Sequence, residues 1–343
     1  MELPRKVAVG SGAVLELPEI CADLKLAPRV LIVTGPNTQD AMGKVVFDLL
    51  KDNGFQPETL VCSASQMDEV ARAERLALEI KADFLIGAGG GRSIDIAKLA
   101  SLTVDIPYLS VPTAASHDGI ASAQASLTIN GETSSVPAHA PLAIVADTRI
   151  ISRAPARLLA AGCGDIISNY TAILDWQLAH RLRNEEYSEY ASALSSMTAR
   201  MIVELAPDIR PGLDDSVKIV VKALISSGVA MSIAGSSRPA SGSEHKFAHA
   251  VNRIRPGRAL HGELCGLGTI MMMYLHGQDW KMIKRALGQV GAPVTAIELG
   301  LDAEIVVEAL IYAHNIRPER YTILDAGLNR NAAARAAEAT GVI

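Results

Sequence analysis

Cysteine is scarce in this chain. Its 343 residues hold four, at positions 21, 62, 163 and 265, far apart and with no CxxC pair. That spacing supports neither a disulfide framework nor a thiolate zinc site. Aromatic residues are also few, at 4%, so the core must be built from Ala, Val, Ile, Leu and Met. Positive charge is not in excess: the net charge is -5, which leaves no basic field for nucleic acid. The opening "MELPRKVAVG" lacks the apolar core of a signal peptide. The longest apolar run, "LCGLGTIMMMYL" from Leu264, is too short to span a bilayer and carries two glycines. It reads as a buried core helix. A reduced, cytoplasmic protein with no transmembrane segment is expected.

What is present is a chain that is 49% hydrophobic and longer than a single core usually supports, so two domains are expected. "RVLIVTG" (29–35), "DFLIGAG" (83–89), "IPYLSVP" (106–112) and "LAIVAD" (142–147) read as buried strands bounded by Gly, Pro or Asp. Amphipathic stretches lie between them, one of them with Ser65 and Asp68 as candidate caps. This alternation predicts an α/β domain over 1–153 with a parallel, Rossmann-like sheet. From about Ala154 the pattern changes to long helical stretches such as "DIISNYTAILDWQLAHRLRN" and "DSVKIVVKALISSGVAMSIAG". An all-α domain over 154–343 follows, and a cleft between the two domains is where a ligand is expected.

Two loops in the first half could hold that ligand. "DFLIGAGGGRSIDIAKLA" is a strand, a glycine cluster, and a helix for which Ser93 is a candidate cap. Gly89, Gly90 and Gly91 would let a pyrophosphate approach bare backbone amides at a helix N-terminus. The stretch is neither a GxGxxG fingerprint, since Arg92 stands at the third glycine, nor a Walker loop. A tight turn without a ligand is the alternative. The second loop, "SVPTAASHDGIASAQAS", offers Thr113, Ser116, His117, Asp118 and Ser122. It is either a binding loop or a polar turn.

Eight histidines occur in the chain, and three of them, His245, His249 and His261, fall within "SGSEHKFAHAVNRIRPGRALHGE" (241–263). If "SEHKFAHAV" is helical, His245 and His249 share a face, and Pro256 and Gly257 should end the helix. Two imidazoles and a carboxylate would form a three-ligand metal site with an open position, for zinc or for iron. Asp165 in "GCGDIISNY" is the candidate carboxylate; its alternative role is an N-cap at the start of a long helix.

Read together and in order, "GAGGGRSIDIAK", "PTAASHDG", "GCGDIISN", "SGSEHKFAH" and "ALHGE" resemble the superfamily of glycerol dehydrogenases, iron-containing alcohol dehydrogenases and dehydroquinate synthases. "TAASHDGIAS" and "SSRPASGSEHKFAH" look most like its archaeal-type sn-glycerol-1-phosphate dehydrogenases. The resemblance implies a dehydroquinate synthase-like architecture and a homo-oligomer. It implies Asp165, His245 and His261 as metal ligands, one Zn2+ per subunit, and Asp118, Asp165 and His249 as substrate contacts. Asp165 and His249 would be the catalytic pair, with His249, whose unperturbed pKa is near neutral, relaying the proton.

The same resemblance assigns Gly89, Gly90, Gly91, Arg92, Ser93, Thr113, Ser116 and Ser122 to the cofactor. Asn37, neutral where an acidic residue would repel a 2′-phosphate, leaves NAD and NADP both open. The implied reaction is NAD(P)H-dependent reduction of dihydroxyacetone phosphate to sn-glycerol 1-phosphate, a small-molecule conversion in membrane phospholipid biosynthesis. Arg238, Lys246, Arg253, Arg255 and Arg258 are candidate partners for the substrate phosphate. A glycerol dehydrogenase would need no phosphate site, a dehydroquinate synthase would return its hydride internally, and a non-enzymatic sensor would carry a degenerate site.

Overall fold

The computed structural model describes residues 3–129 and 132–343. Their contacts form two units, Met1–Pro155 with Pro211–Ser232, and Ala156–Arg210 with Ile233–Ile343. A single boundary at 153/154 puts residues 211–232 with the helical half; their contacts group them with the sheet instead.

In the first unit the strands are β1 (Lys6–Gly10), β2 (Arg29–Thr34), β3 (Gln56–Val61), β4 (Phe84–Gly89), β5 (Tyr108–Pro112), β6 (Gln124–Ile129), β7 (Glu132–Pro137) and β8 (Ala143–Asp147). Helices α1 (Leu17–Asp23), α2 (Lys44–Asp52), α3 (Met67–Glu79), α4 (Gly91–Thr103) and α5 (Thr148–Ile151) alternate with them. Six strands form one sheet in the order β1-β8-β5-β4-β2-β3, and every pairing in it is parallel. β6 and β7 form a separate antiparallel hairpin.

The four runs that the sequence marks as strands are the four inner strands. They are buried on both faces, so each reads as a continuous apolar run. The edges carry weaker signals. β1 is short and partly exposed, and β3 contains Pro57, which an edge strand tolerates. Helix α3 starts after Gln66 with no side-chain cap. Neither expected cap serves as one: Ser65 Oγ donates to the Ser126 carbonyl, and Asp68 lies inside the first turn.

The second unit is helical: α6 (Ala156–Ile167), α7 (Asn169–Arg183), α8 (Glu189–Leu205), α10 (Ser243–Ile254), α11 (His261–Leu275), α12 (Trp280–Gln289), α13 (Ala303–Tyr312) and α14 (Arg330–Ala339). It has no strand among the described residues. Helix α9 (Asp214–Ala234) lies almost wholly in the first unit. By length and composition α9 could cross a membrane, but more than half of its apolar window is buried inside the protein, as in a core helix. The central element of the second unit is α11, buried at every residue from Gly262 to Met273 and packed against α6, α10 and α12. A helix that is apolar on all sides belongs in a core.

Glycine decides how close these helices come. A Cβ on Gly262 would lie 1.9 Å from the Ala161 carbonyl oxygen, and one on Gly164 would lie 2.4 Å from the Gly262 carbonyl oxygen. α6 and α11 therefore touch main chain to main chain. On another face of α11, a Cβ on Gly268 would press on the Glu244 backbone at 3.1 Å, so α10 also docks closely.

Candidate functional site

These close contacts assemble the candidate metal centre. Asp165 sits in the last turn of α6, not at a helix start, which rules out the N-cap role and corrects that expectation. His261 opens α11 and His245 lies in the first turn of α10. His261 Nε2 is 3.7 Å from Asp165 Oδ1, near the roughly 3.3 Å ligand-to-ligand edge of a tetrahedral zinc site. The His245 and His261 ring centroids are 4.8 Å apart. Ligand atoms of Asp165, His245, His261 and Cys265 all lie within 4.8 Å of one another.

Cys265 is a residue that the sequence reading missed, because it looked for paired cysteines. The available signal was its position one helical turn after His261. Its sulfur is 3.5 Å from His261 Nε2.

The groups behind the ligands are equally specific. Glu244, fully buried, accepts from the Thr171 hydroxyl at 2.6 Å, from the Gly242 amide at 2.6 Å and from His245 Nδ1 at 2.9 Å. That last bond fixes the His245 tautomer and leaves Nε2 for a metal, the usual role of a carboxylate behind a ligating histidine. Burial, and after it the charge of Asp175, pushes the Glu244 carboxyl up to about 7; a cation bound by His245 would favour its ionised form. Asp175 accepts from the Ser243 amide at 2.6 Å and so holds the start of α10. Glu263 accepts from the Leu260 amide at 2.8 Å and takes both arms of Arg157, which orients His261 at the head of α11. The donor set and its supports fit a divalent cation.

His249 lies one turn beyond His245, 6.0 Å from the His261 ring, and outside the four-residue ligand cluster. Its Nδ1 is buried with no hydrogen-bond partner among the described residues, so a hydrogen-bonding ligand would satisfy it. Burial, then His261, His245, Arg317 and Arg320, holds its imidazole well below the usual range. The ring is therefore neutral at physiological pH. A cation nearby would push it further the same way.

The first unit gathers the other candidates at the carboxyl ends of its parallel strands, where α/β sheets bind ligands. Gly90, in extended backbone, is the N-cap of α4 and offers no side-chain cap. Ser93 lies inside the first turn, so it is not the cap that the sequence suggested. Three glycines here have packing reasons. A Cβ on Gly87 would meet Ile94 Cα at 2.7 Å, one on Gly89 would meet Ser93 Oγ at 2.7 Å, and one on Gly91 would strike the His117 ring. Gly90 has none: a Cβ there would meet nothing within 4 Å. Its bareness opens a space beside the free amides of a helix N-terminus, which suits a pyrophosphate.

The second loop is tied to the first, since the Thr113 amide donates to the Gly89 carbonyl at 2.9 Å. His117 Nδ1 accepts from the Gly119 amide. Ser116 is half-buried on the same loop and Ser122 is buried. Asp118 accepts from the Ser227 hydroxyl of α9 at 3.0 Å. Asn37 is exposed in the turn after β2, whose Thr38 hydroxyl lies beside Gly89. Arg92 donates from its guanidinium to the Ser63 carbonyl at 2.7 Å. The sequence reading also missed Lys98, which is fully buried and donates to Asp95, to the Gly119 carbonyl at 2.9 Å and to the Gln124 carbonyl at 2.5 Å. A lysine in the middle of a buried helix was the clue. Asp118 and the cofactor candidates thus lie in the first unit, and Asp165, His245, His249 and His261 in the second.

The cations proposed for a phosphate fare less well. Arg238 is engaged by both oxygens of Glu185, and Lys246 by Asp325 at 3.0 Å. Arg253 stacks over Tyr312, and Arg255 and Arg258 are exposed.

Residues 8–155 match the family model described as iron-containing alcohol dehydrogenase. The fold agrees: the chain superposes on the crystal structure of glycerol dehydrogenase from Schizosaccharomyces pombe with TM-score 0.82 at 21% identity, covering 99% of this chain and 89% of that one. Over its full length it is 65% identical to the glycerol-1-phosphate dehydrogenase [NAD(P)+] of Methanothrix thermoacetophila, covering 97% of that protein. It is 59% identical to the protein of the same name from Methanosarcina mazei, covering 96% of it. The chain belongs to the glycerol-1-phosphate dehydrogenase family.

Proposed function

We propose that the chain is an NAD(P)-dependent oxidoreductase that reduces dihydroxyacetone phosphate to sn-glycerol 1-phosphate. One observation carries this reading: Asp165, His245 and His261, spread over three helices, converge in a chain 65% identical to a relative named glycerol-1-phosphate dehydrogenase [NAD(P)+]. Asp165, His245 and His261 hold the metal. Zn2+ is the best fit, because the soft Cys265 sulfur lies in the cluster. When bound, the cation supplies Lewis-acid polarisation of the ketone and the reduced nicotinamide supplies the hydride.

The chain's own residues do the rest. The amides of Gly91, Arg92 and Ser93 receive the cofactor pyrophosphate across the open face of Gly90. Thr113, Ser116 and Ser122 add hydroxyls along the cofactor, and neutral Asn37 admits either NAD or NADP. Asp118 and His249 orient the substrate, with the neutral His249 ring as a hydrogen-bond partner to a substrate oxygen. The ketone carbon gains a hydride from NAD(P)H and its oxygen a proton from solvent relayed through His249, so NAD(P)H is consumed one for one. The product supplies a glycerol backbone for membrane phospholipid, made in the cytoplasm by a homo-oligomer.

The test is an NAD(P)H oxidation assay with dihydroxyacetone phosphate, followed by chiral analysis of the product. Stoichiometric consumption and sn-glycerol 1-phosphate are expected. The 3-phosphate enantiomer, or equal turnover of the unphosphorylated ketone, overturns the reading.

A further inference from the structure

The segment after α13, "HNIRPERYTILD" (314–325), is fastened to the start of α10. Arg320 donates to the Ser241 carbonyl at 2.6 Å and to the Ser237 hydroxyl at 2.7 Å. Its own carbonyl accepts from Lys246 at 2.9 Å. Arg238 donates to the Tyr321 carbonyl at 2.8 Å, and Asp175 accepts from the Ile323 amide at 2.7 Å. Asp175 also holds the α10 N-terminus, so this segment is fixed relative to His245 and His249.

Within this anchored segment the charges are unbalanced. Arg238 has Glu185 and Lys246 has Asp325. Arg320 hydrogen-bonds only to neutral oxygens, with Glu244 and Glu185 favouring its charge from a distance. The Arg317 guanidinium has no hydrogen bond and no ion pair among the described residues; Glu319 favours its charge only from a distance. Burial lowers the pKa of both arginines, Arg320 to about 10, and both charges reach the His249 ring. Arg317 also holds φ +47°, a conformation in which non-glycine residues are strained. Such strain gathers at ligand clamps.

A partly buried guanidinium stays charged and is costly without an anion. Its planar fork matches phosphate. We propose that Arg317, with Arg320 beside it, is the phosphate anchor of the substrate and so sets the preference for a phosphorylated over a free ketone. This rests on the function proposed above. Arg320 is held rigidly by its two hydrogen bonds, while the unengaged Arg317 is available to close on the phosphate. A free ketone leaves the Arg317 charge without an anion in contact, so selectivity follows from that unpaired charge as well as from the contact made.

The experiment compares wild type with Arg317→Gln, Arg317→Lys and Arg258→Ala, the last an exposed cation. Each is assayed on dihydroxyacetone phosphate and on dihydroxyacetone, with bound metal measured and inorganic phosphate tested as an inhibitor. Arg317→Gln should raise KM for the phosphorylated ketone about 10- to 100-fold, the loss expected for charge-assisted hydrogen bonds. Its turnover of dihydroxyacetone and its metal content should stay at wild-type level, and inhibition by phosphate should weaken. Arg317→Lys should recover part of the loss, and Arg258→Ala should match wild type. If Arg317→Gln keeps the wild-type preference, or loses both substrates equally, Arg317 is not the anchor. If wild type itself shows no preference for the phosphorylated ketone, the function proposed above fails instead.

Discussion

In the first unit the side chain absent from Gly90 would have entered open space, whereas in the second those absent from Gly164 and Gly262 would have struck main chain 2.4 and 1.9 Å away. One residue type thus serves two different ends. At the carboxyl end of the sheet it leaves room for a ligand beside free amides. In the helical unit it leaves room for the protein itself, so that α6 and α11 bring Asp165 to His261. The contrast teaches that a glycine beside a site cannot be read as a ligand contact until its missing Cβ is placed. It also separates two kinds of damage, to affinity alone and to stability together with metal.

The largest effect should come from the helical side. Gly262→Ala forces α11 off α6, an overpacking that typically costs about 1–3 kcal/mol, and should lower the unfolding midpoint, empty the metal site and abolish turnover. Normal metal content with normal stability would mean that the contact is not what assembles the centre. On the sheet side, Gly90→Val should raise KM for NAD(P)H roughly 10- to 100-fold through lost charge-assisted hydrogen bonds, with unfolding and metal content unchanged. If cofactor affinity does not move, residues 89–93 are only a turn. The smallest effect is at Glu244. Glu244→Gln keeps an acceptor for His245 Nδ1, so metal affinity should fall about tenfold, the low end for such supporting groups; competition with a chelator of known affinity measures it.

The inner strands β2, β4, β5 and β8 were legible because burial on both faces leaves an uninterrupted apolar run. β1 and β3 were not, since edge strands are half-exposed and Pro57 reads as a turn. The face shared by His245 and His249 followed from helical spacing, and Pro256 and Gly257 do end α10. The convergence of Asp165 with two histidines eighty or more residues away was not in the spacing; it came from resemblance, and the glycine contacts explain it. Glu244 was missed because adjacent helical residues normally face apart, and here the carboxylate turns back to the first turn. Arg317 and Arg320 were missed because the search for a phosphate partner stayed within the segment that holds the ligands. Cations there are already engaged or exposed, and the unengaged Arg317, with Arg320 beside it, arrives from a segment some sixty residues on.

The central claim is that Asp165, His245 and His261 form the metal centre while His249, one turn away on the same face, serves the substrate. Metal analysis of dialysed His245→Ala and His249→Ala, with wild type as reference, tests it most directly. His245→Ala should lose its metal. His249→Ala should keep it and lose turnover by roughly 10²–10⁴-fold, as for a missing group at the reacting atoms. An empty His249→Ala, or a fully loaded His245→Ala, would contradict the account.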